Sequence, residues 1–574
     1  MEKSDKRILR FSVAFLSALI LAALCGLQAA AQQTATQPKV IGNAIVNAPI
    51  HSDVSSPLGE MLAQATAQGG IHSVHAPRHP KMQQLTSASG SKSEEKASAI
   101  QPLTASLISA TIGLSFEGVG NTSFLNCPAV AGQEVAPPDT NAAVGDTQVV
   151  QWVNTCYAVF DKSSGSRISG PFSGTNFWKG FGGGCEADND GDIIIQWDKT
   201  NHRWLASQND FGPKFLGPYQ TCIAVSETAD ATGKYFRYAF PQPGFPDYPK
   251  WGLKSSVYYQ TQNDFGLDDG FQGVNVCAYQ ANLMLKGNSN ASQVCILDNS
   301  NGTLFDDSML PADDDSPGAS GPEVLLGAID NFLPGDTHVY EFVFTVDFAK
   351  PANSTLAGIN GSMPISVPAF NLAFCTSGPF LTTNCVPQPG TTAKLDTLGD
   401  RLMYRLAHFN SAGGIQHFLV NHSTNEASNL TGPVAATWYE FRAQGLGSTS
   451  LSLYQSGQTP DDGEYRWMGS VAMDKTGNIA LGYSRSSATA GDYPSIYYAG
   501  QTAGEPLGTT DTEALIKRGT GSQPDTGDRW GDYSSMALDG ADSCTFWYTT
   551  EYYDTNLRFN WATWLASLKF PNCR

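Results

Sequence analysis

Cationic side chains are scarce in this 574-residue chain: 34 Lys and Arg stand against 53 Asp and Glu, a formal net charge of −19. The shortage is uneven. Residues 1–105 hold 9 Lys and Arg and 6 Asp and Glu, which leaves 25 against 47 in residues 106–574, a net of −22. Phosphate binding needs a basic face, so a body this acidic excludes nucleic acid as a partner, and its charge serves solubility and cation binding instead. No C-x-x-C pair occurs, which argues against structural zinc. G-x-S-x-G, H-E-x-x-H and Walker loops are also missing, which lowers the hydrolase-elbow, zincin and nucleotide readings. Beyond the N-terminus no stretch is long and apolar enough to span a bilayer. Convincing amphipathic helices are lacking too; residues 281–286 are the nearest candidate and are short.

What is present begins with an export pattern. Lys3, Lys6, Arg7 and Arg10 precede an apolar run from Phe11 to Leu27, and Ala29, Ala30 and Ala31 fit a small-residue cleavage site, so residues 1–31 read as a signal peptide. Leu24 before Cys25 is too large for a lipoprotein signal. After cleavage no membrane insertion is expected, and the location is secreted, periplasmic or at the cell surface. Residues 32–112 are rich in Ala, Gln, Ser, Thr and His with little apolar periodicity, and read as a disordered linker or pro-region. His51, His72, His75 and His79 are expected to be mobile and solvated there.

Setting Cys25 aside, ten cysteines remain, an even number that implies disulfides in an exported chain. Spacing does not fix the connectivity. Nearest-neighbour pairing (Cys127–Cys156, Cys185–Cys222, Cys277–Cys295, Cys375–Cys385 and Cys544–Cys573) would staple one hairpin or blade each.

From residue 113 to 574 short strand-like runs alternate with Gly, Asn, Asp and Pro turns. One phrase recurs: an acid, a Lys or Arg, then a β-rich run. It appears at Asp247 with Lys250 and Trp251, Asp400 with Arg401, Glu464 with Arg466 and Trp467, and Asp528 with Arg529 and Trp530. Degenerate repetition of hairpins over hundreds of residues predicts an all-β fold, a disulfide-stapled β-propeller of about six to eight blades. A tandem of two β-sandwiches is the alternative.

If each phrase opens an innermost strand, Lys250, Arg401, Arg466 and Arg529 converge on a central funnel, flanked by Trp251, Trp467, Trp530 and Tyr533. Guanidinium groups there would grip a carboxylate or sulfate, and the rings would stack on sugars. The competing reading pairs each cation with its neighbouring acid and buries the rings as packing between blades. A glycosidase needs two facing carboxyls, for which Asp139, Asp247, Asp528 and Asp532 are the candidates. In the Asp188, Asn189, Asp190, Gly191, Asp192 run, alternating carboxylates around a Gly turn suit Ca2+. Asp313, Asp314 and Asp315 are a weaker cation candidate, since adjacent side chains do not all face one ion.

Converging arginines on a propeller resemble the sialidase superfamily. That resemblance implies an arginine triad at Arg401, Arg466 and Arg529, and a Tyr nucleophile backed by Glu at Tyr439 with Glu440 or at Glu551 with Tyr552 and Tyr553. The family's S-x-D-x-G-x-T-W box is missing; the nearest run, from Ala472 to Gly477, spaces Asp474 and Gly477 one residue too far apart. Through Pro137 to Asn141, Arg529 to Ser534 and Cys544 to Thr549, the chain is also similar to a group of secreted bacterial β-propeller proteins, a resemblance that brings no activity with it. The resulting expectation is a secreted propeller that binds an extracellular glycan, another anionic polymer or a protein ligand through its funnel. A sialidase-like glycoside hydrolase and a purely structural surface protein are the alternatives.

Overall fold

The computed structural model describes residues 39–63 and 109–574, apart from residue 42 and the segments 122–124, 128–135, 267–269, 300–307, 318–320, 329–334, 359–362, 378–379, 426–431 and 525–527. The predicted signal peptide and much of the predicted linker lie outside the described residues.

Seven four-stranded antiparallel meanders follow one another among the described residues, at 141–173, 194–241, 245–298, 310–357, 402–458, 465–517 and 535–569. The seventh supplies only three strands from its own stretch; Thr111–Glu117 pairs with Trp561–Lys569 and completes it. The strands that open the meanders are Asn141–Val144, Ile194–Asp198, Phe245–Leu253, Leu310–Asp314, Leu402–Asn410, Tyr465–Met473 and Ser535–Leu538. Each of these touches the next, and the last returns to the first. A closed cycle of inner strands carrying radially stacked sheets is the β-propeller arrangement. The fourth and fifth sheets are further joined through their inner strands, where Ala312, Asp313 and Asp314 run parallel to Leu406, Ala407 and His408.

Local chemistry explains the hairpins. The valine-rich strand Gln148–Val153, buried along nearly its whole length, runs up to a two-residue turn where Asn154 takes φ 40°. Asn tolerates that left-handed conformation, as a tight hairpin requires. Inner strands are buried on both faces because a sheet packs on each side of them, so Asn141–Val144 has no exposed residue. The core lies between sheets: Trp197 and Trp204 pack with Ala143 and Val150 between the first and second, and Tyr483 and Tyr498 with Met536 and Tyr548 between the sixth and seventh. At Gly482 a side chain would meet the Tyr548 ring at 2.6 Å, so the absence of Cβ sets the approach of those two sheets.

The N-terminal segment corrects one expectation. Ala44–Asn47 pairs with Gln293–Asp298 as an outer strand of the third sheet, and His51–Val54 pairs with Tyr235–Pro241 in the second. His51 stands in that strand with its ring edge-on to Phe181, 4.6 Å between centres, so it is not a mobile linker histidine. These strands pair with the outer edges of the two sheets and bring Asp53 onto the buried Arg237, donor to acceptor 2.6 and 2.9 Å. His72, His75 and His79 lie outside the described residues.

Five disulfides follow the nearest-neighbour pairing. Cys544–Cys573 clamps the last sheet beside the closing strand. Residues 363–396 form an insertion between the fourth and fifth sheets. Its Met363–Leu372 strand bridges both sheets and its hairpins hold the Cys375–Cys385 bond. Among the described residues no helix is long and apolar enough to cross a membrane.

Asp53→Ala removes the partner of a guanidinium that is 2% exposed. It should lower stability by about 1.5–3 kcal/mol, read as a shift of the urea midpoint. Asp146→Ala, which breaks the exposed pair with His202, should stay within about 0.5 kcal/mol.

Candidate functional site

All four acid-and-cation phrases open inner strands or the segments leading into them, and three of them meet at one end of the axis. Lys250, Arg401 and Arg529 share a cluster with Asp139, Asp192, Asp247, Asp400 and Asp532. Arg529 donates to both carboxylate oxygens of Asp532, through Nε at 3.2 Å and through Nη2. Arg401 grips Asp400 in a fork, 2.7 Å on each tooth, and reaches Ser308 Oγ at 2.9 Å. Lys250 is sealed from solvent. Its ammonium lies 3.3 Å from the Tyr248 ring centre and 4.1 Å from that of Tyr533, and donates to the Pro249 carbonyl at 3.0 Å.

Backbone geometry aims these groups. Asp139, Asp192, Tyr248 and Asp532 all hold positive φ, 47°, 49°, 55° and 56°. Asp139, Asp192 and Asp532 lie just before an inner strand, and Tyr248 lies within one, at the bulge between Asp247 and Lys250. A left-handed residue that is not glycine costs of order 1 kcal/mol, least for Asp and Asn, and such residues concentrate where a side chain must be aimed. The Tyr248 N–H then donates to Asp192 at 3.1 Å, its hydroxyl to the Asp532 carbonyl at 3.2 Å, and the Tyr533 hydroxyl to the Ile193 carbonyl at 2.9 Å. Asn154 donates to Asp139 at 2.7 Å.

Burial dominates the protonation of this cluster. It pushes Asp139 well above the usual carboxylate range, and repulsion from Asp532 and Asp192 adds to it. Asp247 is raised in the same way by burial and then by Asp192. Burial pulls Lys250 down to about 7 against the attraction of Asp192, Asp139 and Asp532. Glu551, buried behind the site and accepting from the Gly531 N–H at 2.7 Å, is also raised well above its usual value by burial. Such perturbed groups in one cluster mark a functional-site candidate.

The structure separates the other candidates from this site. Arg466 pairs with Asp462 and Glu513 on the sixth sheet, ahead of a bulge between Trp467 and Ser470, so the would-be arginine triad is not assembled. Tyr439 bonds to His422 and Glu440 to His417 on the fifth sheet, while Tyr552 stacks under Lys517. Trp251, Trp467, Trp530 and Tyr533 are at most 1% exposed and pack between sheets, so they present no face to a sugar. Arg529, at 16%, is the cation of the cluster with access to solvent; Asp192, Asp400 and Asp528 are half-buried beside it. Asn384 of the insertion donates to Asp528 at 2.7 Å and overhangs this end. Deeper along the axis Gln196 and Tyr404 join across the channel at 3.1 Å. There a cavity of about 20 Å³, lined by both with Asp313, Arg405 and Ser535, has room for about one water. Beyond it Arg405 pairs with Asp313 and Asp315, and Asp314 with His408, which leaves no cation cage in that run.

The predicted calcium loop is rearranged. Asp192 turns to the axis, and Asp210, 18 residues further on, joins Asp188 and Asp190: their oxygens lie within 4.8 Å of one another. Burial raises Asp190 to about 7 and Asp210 to about 6, partly opposed by N–H donors from Phe211 and Gly212. The buried Gln208, on the same strand face as Asp210, turns its Nε2 to the Cys185 and Asp188 carbonyls at 3.3 Å and leaves Oε1 without a donor. The Cys185–Cys222 bond fixes this corner.

No family model matches the chain, and no curated protein matches it. Similar solved structures include an ulvan lyase, a polysaccharide lyase bound to an oligosaccharide, at 10% identity over 71% of this chain and 88% of that one with a TM-score of 0.37. A neuraminidase-like protein of subtype N11 from an influenza virus of a flat-faced bat in Peru gives 9%, 71%, 96% and 0.34. The WD40 domain of SCAP from fission yeast gives 10%, 74%, 79% and 0.31. The propeller assignment rests on the sheet topology described above.

A lysine whose folded pKa lies below its unfolded value near 10.4 binds fewer protons folded than unfolded between those values. Its contribution to stability therefore rises with pH from about 7 to 10, while the raised carboxyls make stability fall with pH at the acid end. Lys250→Met should flatten the rise between pH 7 and 9.5 by about 1–3 kcal/mol in urea unfolding. Equal slopes in the two proteins would contradict the assignment.

Proposed function

We propose that the seven meanders are seven blades of one extracellular propeller, and that its axial end around Arg529 binds a saccharide. The observation that carries this is the convergence of Asp139, Asp192, Lys250, Arg401, Arg529 and Asp532 on one end of the axis. Three of these residues are held in left-handed conformations, and Arg529 and Asp192 are only half-buried, so this edge is partly accessible to solvent. Forked guanidinium and carboxylate groups at the mouth suit the alternating donors and acceptors of sugar hydroxyls. Arg401 and Arg529 are already matched by acids, so a neutral or weakly acidic glycan is favoured over a dense polyanion.

A hydrolase reading has one observation in its favour. Asp139 and Asp247 are pushed toward the protonated form that a general acid needs, beside Asp532 held by Arg529. A glycan array and a panel of fluorogenic glycosides, run on wild type, Arg529→Ala and Asp192→Asn, test both. We expect binding that falls at least about tenfold, 1.4 kcal/mol, in each variant with melting temperatures near wild type. Turnover lost in Asp139→Asn would convert the binder into an enzyme. Wild type that binds no saccharide, or variants that bind equally well, would leave a structural propeller.

Calcium belongs in this proposal at Asp188, Asp190 and Asp210, with Gln208 Oε1 as a fourth oxygen, rather than at Asp192. Added Ca2+ should raise the melting temperature of wild type and EDTA should reverse it, whereas Asp210→Asn should melt the same with or without the ion. An unchanged wild-type melt would remove calcium from the account.

A further inference from the structure

Far from the axial cluster, a cleft of about 290 Å³ opens between the fifth and sixth sheets. Its walls include Ser411, His417 and Glu440 together with Phe409, Met473 and Leu507. Ser411 stands in the turn between Leu402–Asn410 and Ile415–Asn425, His417 on the second of those strands, and Glu440 on the next, Val434–Gln444. Register brings them together. His417 lies directly opposite Arg442, so Glu440, two residues back, shares its face, and Gln455 stands opposite Glu440.

The distances form a chain. Ser411 Oγ is 3.0 Å from His417 Nε2, and His417 Nδ1 is 2.8 Å from Glu440 Oε1. Glu440 has no exposed surface and also accepts from Arg442 Nε at 2.5 Å and Gln455 Nε2 at 2.6 Å. Burial works against its charge, but the bonds from His417, Gln455 and Arg442 outweigh it and hold the carboxyl below its usual range. An ionised carboxylate only accepts, so His417 carries its proton on Nδ1 and offers Nε2 as the acceptor for the serine hydroxyl. A nucleophile, a base within hydrogen-bond reach and an acid that fixes the base's tautomer are the parts of a serine hydrolase, independent of fold and of chain order.

A purely structural role would have Ser411 donate to the Ile415 carbonyl, 3.2 Å away, and simply tie the turn. Two features go further than that role needs. Ser411 lines a cleft of mixed polar and apolar walls, in which Phe409, Met473 and Leu507 supply the apolar part, and the cleft has room for a small molecule. The acid behind the histidine is desolvated and triply bonded, which a surface hairpin does not require.

We propose that Ser411, His417 and Glu440 hydrolyse carboxylic esters with a small acyl group, of acetyl to butyryl size, the acyl chain lying against Phe409 and Met473. Ser411 Oγ attacks the carbonyl carbon as its proton passes to His417 Nε2. The tetrahedral adduct collapses, the C–O bond to the alcohol breaks, and the alkoxide leaves with that proton. Water then gives a proton to His417 and attacks the acyl carbon; the acyl C–Oγ bond breaks, His417 returns the proton to Ser411 Oγ, and the carboxylic acid is released. In this scheme the N–H of Ala412, the exposed residue that follows the nucleophile, serves the oxyanion. The reaction stands apart from the saccharide reading of the axial end.

The test uses the purified chain with a fluorophosphonate probe, peptide mass spectrometry to locate the adduct, and p-nitrophenyl acetate and butyrate as substrates. Wild type should carry the adduct on Ser411 and turn over both esters. Ser411→Ala should abolish labelling, and His417→Gln should lower kcat/KM at least about 100-fold. The adduct is read on wild type, so the proposal stays decidable even if a variant fails to fold. No adduct on Ser411, or ester turnover equal in Ser411→Ala, would overturn it.

Discussion

Face-to-face packing of neighbouring sheets sets how near the inner strands come to the axis, and the chemistry follows from that spacing. Where Tyr548 lies in the space left by Gly482, and Trp204 in that left by Gly145, the wedges are tight and the inner strands touch in a closed cycle. Segments leading into those strands are then forced together at one end. Polar groups crowded there lose water and must satisfy one another. That is why Arg401 forks onto Asp400, Arg529 onto Asp532, and Lys250 rests on two tyrosine rings. The same crowding closes the channel further in, at Gln196 and Tyr404, so the mouth of the axis and not its length is available to a ligand.

Strain and burial are concentrated at this mouth. Asp139, Asp192 and Asp532 take left-handed conformations within one cluster. The insertion at 363–396 adds Asn384 and Asp396 from above, and the Asp396 N–H bonds to the Asp528 carbonyl at 2.7 Å. The seventh sheet's loop is thus held from two sides, which keeps Arg529 half-buried and ready to be met from solvent.

Much of this was legible in the sequence because the repeated phrase marks the approach to an inner strand, and every inner strand leads to the same place. The phrase pointed to Lys250, Arg401 and Arg529 with Asp247, while Asp139 and Asp532 entered separately as candidate facing carboxyls. Arg466 carries the same phrase yet departs, since Asp462 and Glu513 capture it before the bulge. That depends on the fourth strand of its sheet, which no local pattern announces. The strands at 44–47 and 51–54 were hidden because four residues are too few for alternation to stand out in an Ala- and Ser-rich stretch. Asp210 replaces Asp192 beside Asp190 because a disulfide and a strand edge, not the loop, decide which carboxylate turns inward. Ser411, His417 and Glu440 meet through cross-strand register, which depends on turn lengths and is invisible in residue types.

The closing strand gives the fold a timetable. Thr111–Glu117 is made early, and its partner Trp561–Lys569 lies some 450 residues later. At ordinary synthesis rates that interval is about 20–90 s. Throughout it Thr111–Glu117 has no edge to pair with, and the ring is an open arc with a raw sheet face at its growing end. The last segment to arrive therefore converts a stack of provisional sheets into one cooperative body. A chain interrupted anywhere before residue 561 would be left with a sticky end rather than a smaller propeller.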